Sequence, residues 1–493
     1  MPHTDDESSG NTSRPELRES LQNAGRRCFL GGLASFLFAA GQACRKAAPP
    51  TAAVTLVLID QTWLDYTFRD RRNLELERFT RETGIQVKLL PAPEGAVETL
   101  EVWRNLLESG AQIPDVYAVD VIWPGVLAEN LLDLRPFVPQ SEIASHFPEL
   151  IANNTVDGKL AALPCVIDVG LLFYRTDLLA KYGYRAPPRT WDELEQMAER
   201  IQAGERARSR KDFWGFVWEG ALSESVTCNA LEWQASEGGG MIVENNLVTV
   251  NNPQAARALA RAARWVGSIS PPGVVAYKEW DAYNIWQAGQ AAFMRNWATS
   301  HFGELFQGAI PRDQFDIAAL PRGRARNAST VGGRAYAVSR HSLYPRESTM
   351  LVRFLCRPDI QLARIRKIGG SPTIPELYND PGMLAANPYF STILKTYQND
   401  KVWRPSAQTG KLYPALSRAY YRAVHEILED KKPASGVLSG LEVELMQITG
   451  MKAAAPGAGR GFQGKSAGLR AVPRCNSGPD GIPDKPDVIP GGI

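Results

Sequence analysis

The sequence predicts an α/β fold organised as two lobes, and three observations carry that expectation. The chain has 493 residues, past the size at which a single hydrophobic core keeps growing. From residue 54 onward, short apolar runs alternate with segments of helical period, the pattern of a parallel sheet covered by helices. Composition is that of a soluble globular protein, 44% hydrophobic and 22% charged.

The first element in chain order is a leader. Residues 29–40 supply about a dozen mostly apolar positions, enough for the apolar region of a signal peptide and short of the roughly 20 that a bilayer span needs. Arg26-Arg27-Cys28-Phe29-Leu30 follows the R-R-x-F-L pattern of twin-arginine export signals, behind a long polar stretch that includes Asp5, Asp6 and Glu7. Gly41-Gln42-Ala43-Cys44 resembles a lipoprotein cleavage box, with Gly41 where that box prefers Leu. A lipid anchor on Cys44 and simple cleavage after Ala43 both stay open. Residues 1–44 are thus expected to be an export signal, and the mature chain to begin near residue 44 in the periplasm or at the cell-envelope exterior.

The body opens with the strand VTLVLI, a helix from Arg69 to Thr83 closed by Gly84, and the strand IQVKLL. A helix from Val97 to Ser109 and the strand DVYAVD follow. This βαβαβ order implies a parallel sheet, in which ligands bind beyond the carboxyl ends of strands. Asp120 stands at one such end, ahead of Val121-Ile122-Trp123-Pro124-Gly125. GKLAALPCVIDVGLLFYR, residues 158–175, reads as two extended runs broken at Pro164, with Asp168 among apolar neighbours. A carboxylate buried there needs a partner, since an unpaired buried charge is costly. Thr190-Trp191-Asp192-Glu193, after Pro188, is a capping box that opens a helix. Then come the strand signal FWGFVW, a helix near Leu231 and the strand AAFMRNW from Ala291 to Trp297. Glu237-Gly238-Gly239-Gly240-Met241 is better read as a helix C-cap than as a phosphate cradle. Residues 451–493 are dense in Pro and Gly and lack apolar period, so a disordered or surface-draped tail is expected.

Several function classes are disfavoured. The net charge of +2 is spread without a long Lys/Arg run, which argues against nucleic acid. His3, His146, His301, His341 and His425 lack metal-ligand spacing, and neither a G-x-S-x-G elbow nor a phosphate loop occurs, so no metal and no cofactor are expected. Cys28 and Cys44 belong to the leader, Cys475 to the tail, and Cys165, Cys228 and Cys356 to the body. An oxidising compartment permits a disulfide between two body cysteines, and buried free thiols are the alternative.

Acids or arginines recur beside aromatic residues at element ends: Asp120 with Trp123, Asp168 near Tyr174, Arg295 with Trp297, and Trp403 with Arg404. A sugar ring has an apolar C–H face that an indole covers and a rim of hydroxyls that charged groups hydrogen-bond. Taken singly, each residue also has a structural reading: Trp123 before Pro124 as core, Arg295 as the partner of a neighbouring acid. The same pair of acids, Asp120 and Asp168, admits an alternative in which a secreted carbohydrate-active enzyme uses them as acid and base, a reading that depends on their separation in space.

Five segments together resemble the family 1 extracellular solute-binding proteins of ABC importers, most of all the trehalose/maltose-binding type. They are IPDVYAVDVIWPG, LPCVIDVGLLFYRTDLLAKYGYRAPPRTWDELEQMA, WQAGQAAFMRNWATS, VGGRAYAVS and RPSAQTGKLYPALSRAYYRAVHEIL. The resemblance covers about residues 54 to 450, and the second segment is the most specific. It implies a two-lobed periplasmic-binding-protein-like fold with a hinge and a central ligand cleft, and no catalysis. The lobes would comprise residues 51–165 with 302–368 and residues 166–301 with 369–450, joined by crossovers near Pro164 to Val169, after Trp297 and around Gly369 to Pro372. Carried over by position, Asp120 and Asp168 match the carboxylates for sugar hydroxyls, with Trp123 in the Asp120 loop. Trp297 matches the stacking aromatic, Arg404 the arginine before a proline, and Gly332 and Gly333 the backbone offered to the sugar. For the first strand, Asp60, Gln61, Asp65 and Tyr66 remain alternatives. The implied partners are a sugar ligand and the permease subunits of an ABC transporter, with the protein itself a monomer.

Overall fold

The computed structural model describes residues 54–60, 66–93, 95–298, 308–368, 371–387 and 389–455. The expected export signal, including the twin-arginine pattern and Cys44, lies outside these residues, as do Gln61 and Asp65.

Nine strands form one sheet: β1 (Thr55–Asp60), β2 (Gln86–Pro91), β3 (Val116–Asp120), β4 (Leu163–Arg175), β5 (Trp214–Val217), β6 (Ala291–Trp297), β7 (Phe315–Ala318), β8 (Ser329–Val338) and β9 (Lys401–Val402). The order is β2-β1-β3-β8-β4-β6-β5, with β7 added to β4 and β9 to β8. β1 lies parallel to both β2 and β3, with helices Tyr66–Thr83 and Ala96–Glu108 in the connections, which is the βαβαβ unit expected from the alternating pattern.

Two strands run from one half of the sheet to the other. β4 is thirteen residues long and apolar on both faces, so burial on both sides holds it extended. Its first part, Leu163 to Val169, lies antiparallel to β8, while Gly170 to Tyr174 pairs with β6. β8 in turn pairs with β3 through Arg334 to Val338 and with β4 through Val331 to Tyr336. A third connection touches β4 where the Ile167 amide donates to the Ser371 carbonyl at 3.0 Å. Gly369 lies outside the described residues.

Pro164 does not break β4. It sits near the strand's start, where a missing donor is tolerated, and the register against β8 shifts at the facing pair Arg334/Ala335. The interruption falls earlier, after the short strand Lys159–Leu160. β7 pairs with Leu172 to Arg175 of β4, so the return toward β3 runs through β8 rather than directly after Trp297. The body also extends further than the tail boundary at residue 451: Lys452–Ala453 pairs in parallel with Leu247–Val248. Residues 456–493 of the tail lie outside the described residues.

Helix Trp191–Arg206 starts where the capping box predicts. The Thr190 hydroxyl accepts from the Glu193 amide at 3.1 Å, and Glu193 Oε2 accepts from the Arg189 amide at 2.6 Å. After helix Glu224–Ser236, Gly238 adopts φ +82° and its amide returns to the Ala235 carbonyl, so the glycine run is a helix stop. Trp103, Trp123, Trp191, Trp218, Trp233, Trp265 and Trp286 are exposed by 2% or less. More than half of the tryptophans are therefore core rather than ligand platforms. Cys165, Cys228 and Cys356 are buried free thiols, the alternative to a disulfide.

Candidate ligand-binding site

The site is built where β3, β6 and β9 end beside the middle of β4 and β8. Asp120 is the last residue of β3 and faces Arg334 of β8 in register. Its Oδ1 accepts from the Ile122 amide at 3.1 Å, which folds the chain back into the short helix Pro124–Leu127. The side chain keeps 30% exposure. Loss of water on its walled side raises the carboxyl above its ordinary value, opposed by the positive charges of Arg404 and Arg334.

Arg404, two residues after β9, is buried and connects three elements. Its Nη2 donates to the Val331 carbonyl of β8 at 3.2 Å and lies 3.6 Å from Asp120 Oδ1. Its Nη1 donates to Glu224 Oε1 at 3.1 Å, at the start of helix Glu224–Ser236. The Ser417 hydroxyl donates to the other Glu224 oxygen at 2.6 Å, and the Tyr413 hydroxyl to Oε1. Arg404 Nε is a buried donor with no hydrogen-bond partner in the protein.

Trp297 ends β6, and its indole lies over Gly332 of β8: a Cβ on Gly332 would stand 2.8 Å from ring atom Cζ3. Asp168 is the register partner of Gly332 across β4 and β8. It is buried, and its Oδ1 accepts from the Val169 amide at 3.0 Å. Gly333 has φ +126°, and a Cβ there would run into the Val166 carbonyl, so only glycine keeps β8 this close to β4. The Gly333 carbonyl accepts from the Val121 amide at 3.2 Å, tying β8 to the Asp120 loop.

Asp120, Asp168, Trp297, Gly332, Gly333 and Arg404 are thus brought to one region of the sheet. Trp123 is 1% exposed and packs edge-on against Trp103 at 6.4 Å, so its ring supports the Asp120 loop from inside the core. Tyr174 is not a neighbour of Asp168. Six residues along a strand span about 20 Å, and its hydroxyl donates to Asp316 at 3.3 Å instead. Arg295 is wholly buried beneath Trp297. Asp60, one of the first-strand alternatives, is buried in an ion pair with Arg72 at 2.9 Å and accepts from the Tyr336 hydroxyl at 3.1 Å.

Glu224 and Glu279 join the site without a sequence signal of their own. Glu279 accepts from the Ser225 hydroxyl at 2.6 Å, and its charge raises the Asp120 carboxyl further. Both sit in first helical turns, where an acid is ordinary, so only the fold reveals their company. Among the described residues no group of His, Cys, Asp and Glu is placed to hold a metal, and no helix is long and apolar enough to cross a membrane.

A sheet with two long through-strands and a polar, aromatic-floored region between its halves defines a binder of small solutes. The chain belongs to the bacterial extracellular solute-binding protein family, whose pattern matches residues 76–392. The family's description is that of proteins that bind a solute outside the cell. A probable ABC transporter-binding protein of Deinococcus radiodurans is 41% identical over 376 residues, 76% of this chain and 89% of that protein. The maltose-bound MalE3 of T. maritima superposes with a TM-score of 0.73 at 31% identity, covering 80% of this chain and all of that one. The GacH receptor of Streptomyces glaucescens shares the two-lobed fold, with a TM-score of 0.70 at 23% identity, covering 81% of this chain and 99% of that one.

Proposed function

We propose that this protein captures an intact di- or oligosaccharide of the trehalose/maltose type between the two halves of its sheet and delivers it to the permease of an ABC importer. The observation that carries the reading is the Trp297 indole lying over Gly332, with Asp168 across the strand pair and Arg404 joined to Asp120 on the same side of β8. A flat apolar surface flanked by charged hydrogen-bonding groups suits a sugar's C–H face and hydroxyl rim. The maltose carried by the MalE3 relative is in keeping with this. Asp168 and Asp120 would accept from hydroxyls, Arg404 would donate through its unpartnered Nε, and Gly332 and Gly333 would let the sugar reach backbone. The lobes would divide along β4 and β8, with the crossing near Ser371 as the third hinge strand. We further propose export through the twin-arginine leader, followed by either acylation at Cys44 or simple cleavage after Ala43, and a monomeric protein that meets its permease in the closed form.

A thermal-shift screen over sugars tests the reading. A ligand at a hundred times its Kd adds about 2.7 kcal/mol of stability. Maltose or trehalose is expected to shift the melting temperature upward and to be recovered intact, and Asp168→Ala is expected to abolish the shift while leaving the ligand-free protein folded. A panel in which no saccharide shifts the melting temperature, or in which glucose is steadily released, would refute it.

A further inference from the structure

Beneath the Trp297 indole lies an arginine that no role in ligand contact explains. Arg295 is 0% exposed. Its Nε and Nη2 donate to the two oxygens of Glu232 at 2.9 and 2.6 Å, a bidentate clamp, and Nη1 donates to Glu219 Oε2 at 2.6 Å. The guanidinium carbon stands over the Trp297 ring, 4.4 Å from its centroid, within range of a cation–π contact. Gly170, the register partner of Trp297 on β4, makes room for the clamp: a Cβ there would lie 2.6 Å from Arg295 Nη2 and closer still to Glu232.

The clamp reaches beyond β6. Glu232 Oε1 also accepts from the Thr330 amide at 3.0 Å and the Thr330 hydroxyl at 2.5 Å. Thr330 lies on β8, two residues before the Gly332 that floors the indole. Apolar residues of equal volume would stabilise such an interior at least as well as buried charges do. What they would not do is hold a flat group at one angle to an aromatic ring.

We propose that Arg295 is a positioning residue for ligand binding: clamped by Glu232 and Glu219, it sets the plane of the Trp297 indole and, through Glu232 and Thr330, fixes that plane relative to the through-strand β8. The inference rests on Trp297 being the sugar platform. A platform held before the ligand arrives spares the complex the entropy of ordering it, so loss of the clamp is expected to cost about tenfold in affinity.

The test uses the full chain labelled with 5-fluorotryptophan, the Trp297 fluorine resonance being assigned with Trp297→Phe. Arg295→Lys removes the planar clamp and keeps the charge. The triple substitution Arg295→Met, Glu219→Gln, Glu232→Gln removes it without leaving a buried carboxylate unpaired. Both variants are expected to keep the other indole resonances, to shift or broaden that of Trp297, and to bind maltose about tenfold more weakly by calorimetry. An unmoved Trp297 resonance in the folded triple variant would overturn the proposal, as would wild-type affinity with a displaced resonance. Failure of both variants to fold would equally count against it, by making the cluster a stability element. Trp297→Ala separates the two readings: maltose binding undiminished in that variant removes the platform itself, whereas binding lost there but native in the triple variant removes only the role of Arg295.

Discussion

Gly332→Ala is the substitution whose outcome follows most directly from the geometry. The backbone of Gly332 is one that any residue adopts, so alanine adds no strain to β8 itself. Its new methyl would stand 2.8 Å from Trp297 Cζ3, against 3.4 Å or more in ordinary contact, so the ring must retreat by about 0.6 Å. Overpacking of this kind costs about 1–3 kcal/mol where neighbours cannot yield. Trp297 is only partly buried and can yield outward, so the cost falls on the ring's position more than on the fold. The ligand-free melting temperature should move by less than about 3 °C, while calorimetric affinity for maltose drops about 5- to 30-fold, equivalent to about 1–2 kcal/mol. Gly333→Ala is the internal control. Its φ of +126° and the facing Val166 carbonyl make alanine strained there, so that variant should lose fold stability outright. Native affinity in Gly332→Ala, with Gly333→Ala behaving as described, would show that the indole over Gly332 does not face the ligand.

Three further outcomes are expected. Burial pushes the Glu219 carboxyl up to about 8 from an ordinary 4.5, against the opposing charge of the Arg295 guanidinium bound to it. The folded state therefore holds that proton more tightly than the unfolded chain, and the stability this contributes is present below about pH 4.5 and lost as pH rises through 8. Chemical denaturation across that range should show the decline, and Glu219→Gln should flatten it. Thr190→Ala removes the N-cap of helix Trp191–Arg206 and should cost about 1 kcal/mol in the same measurement, with sugar affinity unchanged. Cys165, Cys228 and Cys356 should not react with a thiol reagent in the native protein and should all do so after unfolding, since each is buried and free and burial raises each thiol.

Much of the fold was readable because it rests on local signals. The apolar runs that became β1, β2, β3 and β6, and the cap at Thr190, are set by period and by neighbours a few residues away. The long apolar run through β4 signals an extended chain but not the place of its break, because whether a proline interrupts a strand depends on the partner. Here a register shift in β8 absorbs it. In the site, residue types at strand ends marked Asp120, Trp297 and Arg404 as convergent, and the fold brings them to one region. Which side chains join the site and which are spent on the core is not readable from residue type. Trp123 and Arg295 carry the same side-chain chemistry as Trp297 and Arg404, yet one fills the core beside Trp103 and the other is locked between Glu219 and Glu232. For Arg295 that burial is decided by Glu232 on helix Glu224–Ser236 and by Glu219 ahead of it, both more than sixty residues from Arg295 in sequence. The same holds for Asp60, which the structure commits to Arg72 and Tyr336.

The central claim is that a saccharide is held intact against Trp297 by charged groups drawn from both halves of the sheet. A crystal structure of the mature chain with bound maltose tests it most directly. One sugar ring should stack on the Trp297 indole over Gly332, with hydroxyls in hydrogen-bond contact with Asp120, Asp168 and Arg404. A sugar bound elsewhere on the molecule, with the Trp297 face left uncovered, would contradict the account.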